Sequence, residues 1–180
     1  MNNRADYRCD EQPAAAITLL QGTARTRHAL ANALARTQAP AVGETAALGS
    51  STLFCLQPNA WWIVGNGDPH RDGDALLAEA IARGSSLDIS PGQRILRLRG
   101  AGVVERLSQA CALDLRLRTF GVGRCTRCRL ADVAVVMHRV EEHTFDLYCP
   151  RSYGDYLATV LMPLPAPDKT RLCSATGRHG

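Results

Sequence analysis

The sequence predicts an α+β fold, with antiparallel sheets that have helices packed on one side. Three observations carry this expectation. Short apolar runs of strand length alternate with segments whose apolar residues recur at helical spacing. Two pairs of those runs are joined by short polar turns, so the strands they join run antiparallel. From Arg94 to Met162 the order is strand, helix, strand, strand, helix, most of a split β-α-β unit of the ferredoxin-like kind.

With 180 residues, 46% hydrophobic and 21% charged, the chain has ordinary globular composition and enough length to bury a core without disulfide staples. Residues 1–12 read as a flexible N-terminal tail and residues 163–180 as a proline-rich C-terminal tail. The domain between them, residues 13–162, can be divided into two small α+β halves at about 13–90 and 91–162. The polar start is followed only by a short apolar run, Ala14 to Leu20, which is not the pattern of a signal peptide. No apolar stretch approaches the roughly eighteen residues of a membrane span. The expectation is a cytoplasmic protein with no membrane contact.

In chain order, "TARTRHALANALART" carries Ala and Leu at helical spacing behind Thr23, a candidate N-cap. Gln38 to Ser51 is rich in Ala, Gly and Pro and reads as a loop. "STLFCLQ" and "AWWIVG", joined through "PNA", read as a β-hairpin. "DGDALLAEAIARG" reads as a helix that Asp72 or Asp74 opens and Gly84 ends. "SSLDIS" and "QRILRLRG" are strands, the second placing Arg97 and Arg99 opposite Leu96 and Leu98. "AGVVERLSQACAL" aligns Val103, Val104, Leu107, Cys111 and Leu113 on one helical stripe. After a Gly-containing loop, "RLADVAVVMHRV" and "HTFDLYCP" are strands around the turn "EEH". "SYGDYLATVLM" is a closing helix with Ser152 as cap and Tyr156, Leu157, Val160 and Leu161 inward.

Charge and cysteine usage raise the candidate sites. Lys169 is the only lysine, and from Arg94 to Arg129 nine arginines face Glu105 and Asp114 alone. Such a band suits phosphate or an acidic protein surface. The low aromatic fraction and the lack of lysine-rich or Gly-Arg tracts favour the protein surface over nucleic acid. Cys125 and Cys128 form a C-x-x-C pair, the one metal-site candidate, with His138 and His143 downstream. Structural zinc needs four ligands, and a second matching pair is missing. A redox pair wants its first cysteine at a helix N-terminus, whereas a strand follows here. No nucleophile elbow, metalloprotease helix or phosphate-binding glycine loop is present, so no catalytic residue is assigned. Trp61 and Trp62 are adjacent on a strand and point to opposite faces, one into the core and the other exposed or covered by something.

"PNAWWIVG", "LDISPGQRILRLRGAGVVERLSQACALDL", "FGVGRCTRC", "VAVVMHRV" and "TFDLYCPRSYGDYLATVL" follow one another in fixed order from about Ser51 to Leu161. Together they resemble the gamma-subunit family of heterotetrameric sarcosine oxidase. The resemblance implies a fold related to the folate-binding domains of aminomethyltransferases and tRNA-modification GTPases. It implies no cofactor on this chain, and alpha, beta and delta partner subunits that hold FAD, FMN, NAD and tetrahydrofolate. The complex would oxidise sarcosine to glycine and hydrogen peroxide, releasing formaldehyde or methylene-tetrahydrofolate, with this chain acting in assembly. Expected subunit contacts are Trp61, Trp62, Arg97, Arg99, Arg151 and Tyr153. The family pattern carries threonine where this chain has Cys128, which speaks against a family-wide metal site. A stand-alone folate-binding one-carbon protein is the alternative, and a nucleic-acid-binding module a more distant one.

Overall fold

Thr23 opens the first helix in the manner its sequence suggests. Its hydroxyl accepts from the Arg25 N–H while the Thr26 hydroxyl accepts from the Thr23 N–H, so two otherwise orphaned donors are satisfied. The computed structural model describes residues 6–65 and 75–162. The C-terminal tail at 163–180, the turn after Gly65 and the Asp72/Asp74 helix start lie outside the described residues.

The elements are β1 (Arg8–Gln12), β2 (Ala16–Gln21), α1 (Ala24–Ala33), β3 (Thr45–Leu48), β4 (Ser51–Gln57), β5 (Ala60–Gly65), α2 (Ala75–Ala82), β6 (Ser85–Asp88), β7 (Gln93–Arg99), α3 (Val103–Ala110), β8 (Cys125–Leu130), β9 (Val133–Glu141), β10 (Thr144–Pro150) and α4 (Gly154–Leu161). They build two five-stranded antiparallel sheets, β3-β4-β5-β2-β6 and β1-β7-β10-β9-β8. Three clusters of buried side chains fill the spaces between layers. Leu20, Leu30, Trp61 and Ile81 lie between the first sheet and α1 and α2. Leu98, Leu107, Phe145 and Leu157 lie between the second sheet and α3 and α4. Ile17, Phe54, Trp62, Val136 and Tyr148 lie between the two sheets. The result is four layers, helix–sheet–sheet–helix. Each sheet has helices on one side, as expected, and the other sheet closes the opposite side.

The two halves repeat one plan. In order, β2-α1-β3-β4-β5-α2-β6 matches β7-α3-β8-β9-β10-α4, and the strands take the same positions in each sheet. The match is completed by an exchange at the edge: β6 flanks β2, and β1 takes the equivalent place beside β7. Gly100 serves this arrangement. Its φ of +128° and the backbone of Asp6 at 2.2 Å from a would-be Cβ leave room for no side chain where the chain start crosses the β7 end.

Several expectations are corrected. Residues 8–12 are not a tail but β1, an edge strand whose polar side chains suit an edge and hide the strand signal. The Gln38–Ser51 loop contains β3, whose Ala46 and Ala47 lack the branched side chains that mark strands. The C-x-x-C segment is itself a third strand, β8, because Ala131 and Asp132 take φ of 45° and 67° and close a two-residue hairpin without glycine or asparagine. A 3-10 turn over Arg151–Tyr153 precedes α4, so Ser152 makes no cap bond. Tyr156 is half exposed rather than inward, and its hydroxyl donates to the Ala131 carbonyl.

Candidate functional site

Strand register assembles a polar row that the sequence scatters. Asp10, Arg97, Asp146, His138 and Cys125 stand side by side across all five strands of the second sheet. Alternation puts this row on the face toward the first sheet, together with Ile95, Tyr148 and Val136. Arg97, Asp146, His138 and Tyr148 line one wall of an inter-sheet cleft of about 330 Å³, and Thr52 and Phe54 line the other.

Arg97 grips Asp146 in a fork, Nε to Oδ1 at 2.6 Å and Nη2 to Oδ2 at 2.7 Å. Asp146 is only 4% exposed, and such bidentate geometry is what makes a desolvated ion pair tenable. Its hydrogen bonds hold the Arg97 guanidinium above its ordinary pKa. His138 packs on the Phe54 ring at 4.8 Å, and burial pushes its imidazole below its ordinary 6.5, so it is neutral at pH 7. Tyr148 sits edge-on to Phe54 at 5.4 Å and to Trp62 at 6.1 Å. Burial pushes its hydroxyl well above the ordinary value of 10. A pterin-binding reading of this cleft would call on Asp146 as the gripping acid, and Arg97 already holds both of its oxygens.

The expected contact residues divide. Trp61 is 0% exposed against α1 and α2, and Trp62 is 5% exposed between the sheets. Their opposite facing is as expected. Of the two alternatives for the second tryptophan, exposed or covered, the structure shows the covered one, and the second sheet of the same chain is what covers Trp62. Arg127 adds a cation over the Trp62 ring at 5.7 Å. Arg97 is tied to Asp146, Arg99 pairs with Asp10 at 3.1 Å, and Arg151 donates to the carbonyls of Pro91 and Gln93. All three therefore have work within the chain. Tyr153 is 50% exposed and remains an outward aromatic.

The C-x-x-C pair is not brought together. Three residues apart on a strand, the thiols point to opposite faces: Cys125 into the inter-sheet core and Cys128 toward α3 and α4. They cannot meet one metal ion or each other. Burial pushes each thiol up to about 12, which is the signature of inert filler rather than a reactive cysteine.

The arginine band is largely neutralised within the chain. Arg94 binds Glu11 and Asp155, Arg116 binds Asp114, Arg124 binds Glu44, and Arg129 binds Asp132. With Arg97 and Arg99 also paired, the band offers little net charge to phosphate. Most of these acids come from distant segments, so the density of arginine over 94–129 misstates the charge of the surface.

The Sarcosine oxidase, gamma subunit family model matches residues 23–165. The chain belongs to that family. It is 29% identical over 117 residues to sarcosine oxidase subunit gamma of Corynebacterium sp. (strain U-96), covering 64% of this chain and 57% of that protein. Against the Arthrobacter sp. subunit gamma it is 29% identical over 118 residues, covering 65% and 58%. The chain thus spans little more than half the length of these curated relatives. Its fold matches a chain of the heterotetrameric sarcosine oxidase from Corynebacterium sp. U-96 in complex with pyrrole 2-carboxylate. That match has a TM-score of 0.75 and 25% identity over 89% of this chain and 84% of that one. Aminomethyltransferase T of the glycine cleavage system from Bartonella henselae matches with a TM-score of 0.66 and 17% identity, over 88% of this chain and 46% of that one. At that identity the likeness concerns the fold alone, which this chain shares with part of that protein.

Proposed function

We propose that this chain is an assembly subunit of a heterotetrameric, flavin-dependent sarcosine oxidase in the cytoplasm. Its partners are the alpha, beta and delta subunits, and FAD, FMN, NAD and tetrahydrofolate sit on those partners. The complex demethylates sarcosine oxidatively to glycine, with formaldehyde or methylene-tetrahydrofolate and hydrogen peroxide as the other products. The observation that carries this reading is the match of fold and sequence to a chain of an assembled sarcosine oxidase, over 84% of that chain. The arrangement of the titratable groups is consistent with it. The carboxylate of the cleft is locked to Arg97, the thiols are buried, and the imidazole of His138 packs on a phenyl ring. No helix among the described residues is long and apolar enough to cross a membrane.

The test is a tagged pull-down of this chain from its native cells, with flavin absorbance and mass spectrometry of whatever accompanies it. Recovery of larger flavin-bearing subunits supports the assembly role. A colourless chain recovered alone overturns it.

A further inference from the structure

A groove of about 640 Å³ runs between α1 and the 37–42 segment. Ala31, Pro40 and Cys55 form its buried floor, and Val42, 49% exposed, stands on its wall. Small side chains here leave space that a bulkier apolar group would fill. Arg27 and His28 lie on the same wall system, and no Asp or Glu lines the groove.

The charge beside it is mainly positive, since the nearby Glu44, whose carboxylate accepts from the Ala41 N–H, is already paired with Arg124. The chain has no acidic residue between Glu11 and Glu44, a stretch that holds Arg25, Arg27 and Arg36. Among the described residues no carboxylate pairs with any of the three; Arg27 spends its guanidinium on the Pro58 carbonyl and Asn59 Oδ1. This contrasts with the 94–129 band, where the arginines meet carboxylates. Three arginines without a carboxylate partner among the described residues thus lie on α1 and just after it, beside a groove with an apolar floor. An apolar centre with a cationic rim complements an apolar side chain flanked by carboxylates, and the rim charges steer such a partner in.

Resting on the gamma-subunit reading, we propose that this groove docks an acidic segment of a neighbouring oxidase subunit. An apolar side chain of that segment seats on Ala31, Pro40 and Val42, and its carboxylates meet Arg27 and Arg36.

The experiment co-expresses this chain with the other subunits and measures complex dissociation by dilution at two ionic strengths. Val42→Asp and Arg36→Glu are compared with the native chain, singly and combined, since neither side chain makes a hydrogen bond to another of the described residues. Arg129→Glu, on the far β8–β9 hairpin, is the control. Urea midpoints of the isolated variants verify that each is folded. The combined variant is expected to dissociate at least about tenfold more readily and to lose part of the salt dependence, with the control within about twofold of native. Native-like dissociation of the combined variant overturns the groove assignment and leaves the gamma-subunit reading standing. Failure of the native chain to join the other subunits overturns both. A homodimer of the isolated native chain that the same substitutions break also overturns the proposal, because a second copy then fills the groove.

Discussion

Removing the Arg139 guanidinium is expected to be among the most destabilising single changes in the chain. Arg139 lies on β9 with 2% exposure and no carboxylate partner among the described residues. Instead its Nη1 donates to the carbonyls of Leu115 at 2.8 Å and Phe120 at 2.6 Å. Its Nε and Nη2 donate to the Glu142 carbonyl at 3.1 and 2.6 Å. The guanidinium also lies over the Phe145 ring at 4.8 Å. One side chain thus ties the loop after α3 to the β9–β10 turn. In Arg139→Met the apolar volume is kept, while two fully buried carbonyls and a third, partly buried one lose their donors. Each orphaned buried acceptor costs about 1–3 kcal/mol, and loss of the desolvated charge returns part of that. The net expectation is about 3–5 kcal/mol, a large share of the roughly 5–15 kcal/mol of a domain this size. Urea unfolding followed by tryptophan fluorescence reads it directly, and hydrogen exchange should show residues 115–120 opening first. Arg139→Lys should recover no more than about half, because an ammonium cannot span three carbonyls in a plane. A loss below about 1 kcal/mol in Arg139→Met would refute the reasoning.

Other expectations follow from the same geometry. His138 has its pKa lowered by burial in the folded state, so folding is favoured above the unfolded imidazole value of 6.5. Stability should fall as pH drops through 6.5, by up to about 1.4 kcal/mol per unit until the folded value is reached. His138→Gln should flatten that slope between pH 7.5 and 5.5, and an unchanged slope would count against the assignment. With their thiols raised to about 12 by burial, Cys125 and Cys128 should resist iodoacetamide at pH 7.5 and label fully only in urea; mass spectrometry of the tryptic peptides decides, and fast native labelling of either contradicts the fold. Trp62→Ala opens a cavity between the sheets and should cost about 3–5 kcal/mol. Arg127→Ala, which removes only the cation over that ring, should cost about 0.5–1 kcal/mol.

What the sequence disclosed, and what it withheld, has a physical pattern. α1 was legible because its cap and its apolar spacing are local, and the β4–β5 hairpin because its apolar runs flank a two-residue turn. β1 was not legible, since "RCDEQ" becomes a strand only by pairing with β7 more than eighty residues later. The same holds for the polar row: Asp10, Arg97, Asp146 and His138 meet through register, which no local window contains. One signal did exist. Asp146 is a lone charge inside the apolar run "TFDLYC", and a charge in a doubly covered strand demands a partner. The arginines misled for the complementary reason, because Glu11, Glu44 and Asp155 neutralise them from outside the band. The odd spacing of Cys125 and Cys128 would have excluded a shared metal as soon as β8 was read as a strand.

The role proposed for this chain is assembly of the oxidase rather than its chemistry. Its most direct test is to express the other subunits with and without this chain and to measure the mass of the complex by native mass spectrometry, alongside sarcosine-dependent peroxide formation per bound flavin. Omission is expected to lower the yield of the full complex while the flavin in correctly assembled material turns over at the native rate. Full assembly at native mass, less only this chain, together with lost turnover per flavin would contradict it.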